Sequence, residues 1–147
     1  MNTRPIYTTA EIRKIESLVL SVPHSPPLME KAGLAAAKVA HTRLLTDDKQ
    51  RILILAGPGN NGGDALVAAR HLREWGRQVT LVFTGEAGRL PQDARQALEQ
   101  WQSAGGTVIP ELPGSWISVY CLVIGELPVR IIIRHPPTLC MGCMNRW

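Results

Sequence analysis

One run constrains this chain more than any other: RILILAGPGNNGGDALVAARHL, from Arg51 to Leu72. Arg51 to Ala56 is almost wholly apolar, the pattern of a strand covered on both faces rather than one with a wet side. Glycines then occupy positions 57, 59, 62 and 63. A helix is expected next, from about Asp64 to Trp75, turning Ala65, Ala68, Ala69 and Leu72 inward and stopping at Gly76. This order brings bare backbone N–H groups and the positive end of a helix to the carboxyl end of a buried strand, where an anion is welcome.

The flanking sequence extends the pattern. Thr8 to Glu11 reads TTAE, a capping box, and Ile12, Ile15, Leu18 and Val19 then share one helical face. After SVPHSPP a second helix is expected from near Pro27, with Ala32, Gly33, Ala36 and Ala40 as a small-residue stripe and its end at TDDKQ. Val79 to Phe83 reads as a second buried strand. Leu90, Ala94, Ala97, Leu98, Trp101 and Ala104 mark an amphipathic helix stopped by Gly105-Gly106, and Thr107–Ile109 and Val119–Ile124 read as further strands. Alternating strands and helices imply a parallel sheet with right-handed crossovers, so the expected fold is α/β: a three-layer αβα sandwich with a mostly parallel sheet. In such sheets ligands bind beyond the carboxyl ends of the strands, where the glycine loop lies.

Gly57, Gly59 and Gly62 satisfy GxGxxG, the dinucleotide fingerprint, in the right context of strand and helix. The fingerprint is incomplete, because a nicotinamide site also wants an acid at the end of the second strand. That strand ends in Phe83-Thr84, with Glu86 beyond it in a loop. No Lys-Ser or Lys-Thr follows the glycines, which rules against a P-loop. What is left is NNGGD, residues 60–64. Its amides donate and accept hydrogen bonds, so it can hold a hydroxylated, phosphate-bearing ligand or lend carbonyl oxygens to an alkali cation. The plainer alternative puts Asn60 and Asn61 in left-handed turn positions and makes Asp64 a helix cap.

The remaining polar residues carry less. His24, His41 and His71 are scattered along surface or helix faces. Cys121, His135, Cys140 and Cys143 make a four-ligand zinc set only on paper, since their spacing is irregular, and the Trp and Met residues read as core or terminal filler. The formal charge of +4 comes from arginines interspersed with acids and few aromatics, which does not build a nucleic-acid face. The start of the chain lacks the apolar core of a signal peptide, and no segment has the apolar length of a membrane span, so a cytoplasmic protein without membrane or nucleic-acid partners is expected. Three cysteines, an odd number, give no disulfide framework.

At AGPGNNGGDALVAARHL the sequence resembles the NAD(P)H-hydrate epimerase family, the YjeF N-terminal domain. LMEKAGLAAAKVA matches that family's first long helix, and the likeness runs from about residue 8 to 123 of a single domain spanning 1–147. The resemblance implies a Rossmann-like fold and an isomerase that interconverts the R and S epimers of hydrated NADH and NADPH. It also implies a potassium ion and an ADP- or ATP-dependent dehydratase as functional partner; separately, a sheet that stops early leaves an open edge, so an oligomer, here a homodimer, is expected. Carried over by position, Asn60, Asn61, Gly62, Gly63 and Asp64 bind the hydrated dinucleotide, and Asn61 ligates potassium.

Beyond residue 124 the pattern changes. The family continues after its fourth strand with an aspartate, a glycine-rich loop and a later DIPSG. Here Gly125 stands in the aspartate's place, and Glu126, one step later, points to the other side of an extended strand. The second potassium ligand, the second phosphate loop and the catalytic carboxylate have no counterpart, so no catalytic residue is assigned. Residues 124–147 read as a divergent tail, containing one strand, VRIII, and consistent with an out-of-frame or truncated end. Two further readings stand beside the epimerase: a non-catalytic nucleotide-binding or protein-interaction module of the same fold, and a nicotinamide-dependent oxidoreductase.

Overall fold

The computed structural model describes residues 5–23, 27–43, 51–111, 119–124 and 130–134. His24, Gly125, Glu126, His135, Cys140 and Cys143 therefore lie outside the described residues. The chain runs α1 (Thr9–Leu20), α2 (Leu28–Arg43), β1 (Arg51–Ala56), α3 (Asn60–Glu74), β2 (Gln78–Phe83), a 3-10 turn (Ala87–Arg89), α4 (Gln92–Ser103), β3 (Val108–Ile109), β4 (Val119–Ile124) and β5 (Arg130–Arg134). This is the expected α/β, Rossmann-like layout.

The sheet order is β3-β2-β1-β4-β5. Strands β1 to β4 are parallel, and β5 pairs antiparallel with β4, so the tail strand closes one edge of the sheet by reversing direction. The chain steps from β1 to β2 to β3 in one direction, and right-handed crossovers then place α3 and α4 on the same face. β4 inserts on the other side of β1, which makes the carboxyl end of β1 the point where the winding reverses. Ala56 is in register with Phe83 of β2 and Ile124 of β4, so all three strands end level there.

Ile52, Ile54, Ala56, Leu81 and Phe83 turn toward the helices and form one core with Ala65, Leu66, Ala68, Ala69, Leu72, Ala94, Ala97, Leu98 and Trp101. Leu53 and Val82 are also buried but outside that cluster, on the opposite face, as near-continuous apolar runs require. Trp101 is fully buried, and its indole N–H donates to the Thr107 carbonyl at 3.2 Å. Gly76 and Gly105, both at positive φ, end α3 and α4. Leu90 and Ala104, expected inside the last helix, flank it instead: Leu90 is buried ahead of its first turn, and Ala104 is the exposed C-cap.

Helix α2 lies against α3. A Cβ on Gly33 would sit 2.5 Å from Val67 Cβ, so the absent side chain is what lets the two backbones approach. Ala37 and Ala40 are buried there, while Ala32, expected in the stripe, is exposed. Glu30 then ties the helices together, 2.6 Å from Arg70 Nη2 and 2.7 Å from His71 Nε2. Burial works against the Glu30 charge, yet hydrogen bonds from Arg70 and His71 hold its carboxyl below the usual range.

Candidate functional site

The site grows from the level end of the sheet. β1 stops at Ala56, and Gly57-Pro58-Gly59 leads into α3, which starts at Asn60. NNGGD is thus the opening of the helix rather than a loop before it. Asn60 and Asn61 take up right-handed helical backbone, not left-handed turns, and Asp64 sits past the first turn, where it cannot be the N-cap. That position belongs to Gly59, which has no side chain to offer.

Four weak helix formers at the start of α3 each cost up to about 1 kcal/mol against alanine. Burial of Leu66 and Leu72, about 1.5–3 kcal/mol for each fully buried side chain, more than offsets this. The glycines also have steric reasons to be there. A Cβ on Gly62 would collide with the carbonyl oxygen of Gly57, and one on Gly63 would lie 2.5 Å from Met29 Sδ and Cε and 3.0 Å from Ala94 Cβ. Gly57 and Gly59, by contrast, face open space. The first pair is needed for packing, and the second exposes backbone.

The loop after β2 forms a wall beside this opening. Thr84 N–H donates to the Ala56 carbonyl at 3.2 Å, and the Cβ position of Gly85 lies 2.8 Å from Pro58 Cβ. Glu86, the nearest acid to the end of β2, is exposed and pairs with Arg89 at 2.9 Å.

Asn60 and Asn61 are exposed at the mouth, Gly62 and Gly63 are buried, and Asp64 is half-buried behind them. Spacings of four and three residues put Asp64 on the same side of the helix as Asn60 and Asn61, leaning toward the N-terminus. Burial, unrelieved by any hydrogen bond, pushes its carboxyl up to about 6. Asn60, Asn61, Gly62, Gly63 and Asp64, the five expected residues, thus form one helix opening without a side-chain cap, with two exposed amides and a half-buried carboxyl pushed up to about 6.

Sequence reasoning passed over Met29, Pro58 and Gly85. Met29 carried no signal of its own, since a methionine at the start of a helix looks like ordinary core. A separate groove of about 860 Å³ runs over the outer face of α3 between α2 and α4, lined by Met29, Val67, Arg70, Glu74, Asp93 and Ala97 among others. None of residues 57–64 lines it, so it is distinct from the helix mouth. Among the described residues no three His, Cys, Asp or Glu side chains gather where a metal could sit, and no helix is long and apolar enough to cross a membrane.

Known proteins are similar to this chain. The chain is 50% identical over 86 residues to the NAD(P)H-hydrate epimerase of Bordetella pertussis (strain CS), covering 58% of this chain and 37% of the relative. It is 47% identical over 88 residues to the bifunctional NAD(P)H-hydrate repair enzyme of Leishmania braziliensis, covering 60% of this chain and 15% of that protein. The crystal structure of the yeast protein YNL200c superposes with a TM-score of 0.58 at 25% identity, over 72% of this chain and 47% of the yeast one. The chain thus spans less than half the length of these relatives. The family model described as YjeF-related protein N-terminus matches residues 25–133, and on that match the chain belongs to the YjeF-related protein N-terminus family.

Proposed function

We propose that the mouth of α3 binds hydrated NADH or NADPH and that the chain serves NAD(P)H-hydrate epimerisation, the interconversion of the R and S forms. One observation carries this reading: a helix with no side-chain cap opens at the winding reversal of the sheet, in a chain whose relatives are named as epimerases and repair enzymes. The N–H groups of the first turn suit the pyrophosphate, and Asn60, Asn61 and Asp64 suit hydroxyls of the ligand. Gly57 and Gly59 leave the backbone open to it, and Gly62 and Gly63 seat the turn that presents those N–H groups.

Potassium fits this opening only in part. Asn61 supplies one amide oxygen, a reasonable hard donor, but it lies at the positive end of a helix. Among the described residues no cluster of acidic, histidine or cysteine side chains completes a cage, and no chemical step is routed through the ion. A dehydratase acting on the S form goes with the reading, since one relative is named as bifunctional. A homodimer and a cytoplasmic setting belong to the same proposal.

A second reading, a binding module without turnover, is favoured by Gly125 in the position where the family carries an aspartate. One assay separates the two. The purified chain is incubated with R-hydrated NADPH, an S-specific dehydratase and its nucleotide, and recovery of NADPH is followed. Acceleration above spontaneous epimerisation is expected. Binding without acceleration supports the module, and hydride transfer to an acceptor would replace both with an oxidoreductase.

A further inference from the structure

We propose that Met29 is a positioning residue for the mouth of α3, setting where the first-turn N–H groups lie; this rests on the binding reading above. Two contacts align α2 with α3, and both repeat at a spacing of four residues. Gly33 meets Val67, and four residues earlier Met29 meets Gly63, with its Sδ and Cε each 2.5 Å from the point a Cβ on Gly63 would occupy. The two helices therefore run side by side in the same direction. The Gly33–Val67 contact fixes their separation, and the Met29–Gly63 contact fixes the end that opens on the ligand.

The mouth needs outside support for a physical reason. Its first turn, Asn60-Asn61-Gly62-Gly63, has low helix propensity and no side-chain cap at Gly59. A turn of that kind frays unless something packs on it. Gly62 is backed by the preceding loop, through the Gly57 carbonyl. Gly63 is backed by Met29 and Ala94, and of these Met29 is the longer, more adaptable side chain, partly buried against the core cluster. An anion held by oriented N–H groups loses affinity steeply when they shift, so the thioether acts on the ligand through the backbone it supports.

The contact predicts coupling that a purely structural methionine would not produce. Binding of hydrated NADPH is measured by calorimetry on the full chain and on Met29→Ala, Met29→Leu, Gly63→Ala and the Met29→Ala/Gly63→Ala double variant, with thermal melts alongside. Met29→Ala is expected to weaken binding about tenfold, while Met29→Leu, which conserves volume, stays within about threefold of the parent. Gly63→Ala weakens binding in the parent, and the loss shrinks in the Met29→Ala background, because the side chain that would clash is gone. Unchanged affinity in Met29→Ala with a lowered melting temperature, or strictly additive losses, overturns the proposal. Should Met29→Ala not fold, the same cycle is built on Met29→Val, whose shorter side chain also withdraws from Gly63, and is read the same way. A parent chain that does not bind hydrated NADPH overturns the functional reading alone. Positioning is then decided by amide hydrogen exchange at Gly63, whose N–H donates to the Gly59 carbonyl at 3.2 Å. Loss of the Met29 side chain must accelerate that exchange about tenfold; unchanged exchange rejects positioning.

Discussion

Helices α1 and α3 begin in opposite ways. At α1 the Thr8 N–H donates to Glu11 Oε2 at 2.7 Å and the Glu11 N–H donates to Thr8 Oγ1 at 3.4 Å, a complete capping box. The backbone N–H and the hydroxyl of Thr8 together hold the Glu11 carboxyl below its ordinary range. Yet α1 buries none of its residues, and Ile12, Ile15 and Leu18 remain exposed. At α3 the cap is a glycine and the first turn is poor helix sequence, but eight residues of the helix are buried. One helix is made by its own end, the other by the core it packs into. Because α3 draws its stability from packing, its end can stay open for a ligand.

The largest effect should come from closing that end sterically. Gly62→Ala drives a methyl into the Gly57 carbonyl, a backbone atom that cannot move aside without moving the loop. We expect a loss of roughly 3 kcal/mol or more in urea unfolding, together with loss of detectable dinucleotide binding. Gly59→Ala is the matched control, since its Cβ meets open space. Its stability should stay within about 0.5 kcal/mol of the parent, with any loss confined to binding. Equal destabilisation by the two variants would mean that the close approach at Gly62 does not shape the mouth.

Asp64 gives a smaller effect with a defined sign. Its folded carboxyl titrates at about 6 against an ordinary 3.8, so the folded chain holds the proton more tightly than the unfolded one. The carboxyl therefore costs nothing below about pH 4; stability falls as pH rises from 4 to 6, and the full cost is present above 6. Half exposure lets solvent screen the charge, which reduces the cost to the order of 1 kcal/mol. Asp64→Asn should flatten the stability profile between pH 4 and 6 and raise the melting temperature at pH 7. A variant with the parent's slope in that window would show that another group titrates there.

The same contrast explains what could be read from the residues. The buried strands β1 and β2 were legible because a parallel sheet covered on both faces leaves an unbroken apolar run, and α1 because its cap is written locally as TTAE. The glycines after α3 and α4 marked their ends for the same local reason. The start of α3 was not legible: NNGG looks like loop, and it becomes helix with Gly62 packed on the Gly57 carbonyl and Gly63 on Met29 and Ala94, the latter two remote in sequence. The direction of β5 escaped because a strand's own residues do not encode its partner's orientation. At the proposed site, pattern picked out residues 60–64, which the fold sets at the start of α3, but the half-burial that shifts Asp64 depends on packing around the helix and has no local sign.

The smallest effect tests the other side of the comparison. Thr8→Ala removes a hydroxyl that accepts from the Glu11 N–H and donates to its carboxylate at 2.8 Å. Loss of such a cap typically costs about 1 kcal/mol, but here the cost falls on a helix that contributes no buried residue. The expected outcome is a local loss of helical signal by circular dichroism, faster amide exchange within residues 9–20, a global melting temperature within about 1 °C of the parent, and unchanged affinity for hydrated NADPH. A clear fall in global stability would mean that α1 is coupled to the core after all. Its capping box would then support the fold, and the division between a locally built helix and a packing-built one would fail at α1 rather than at α3.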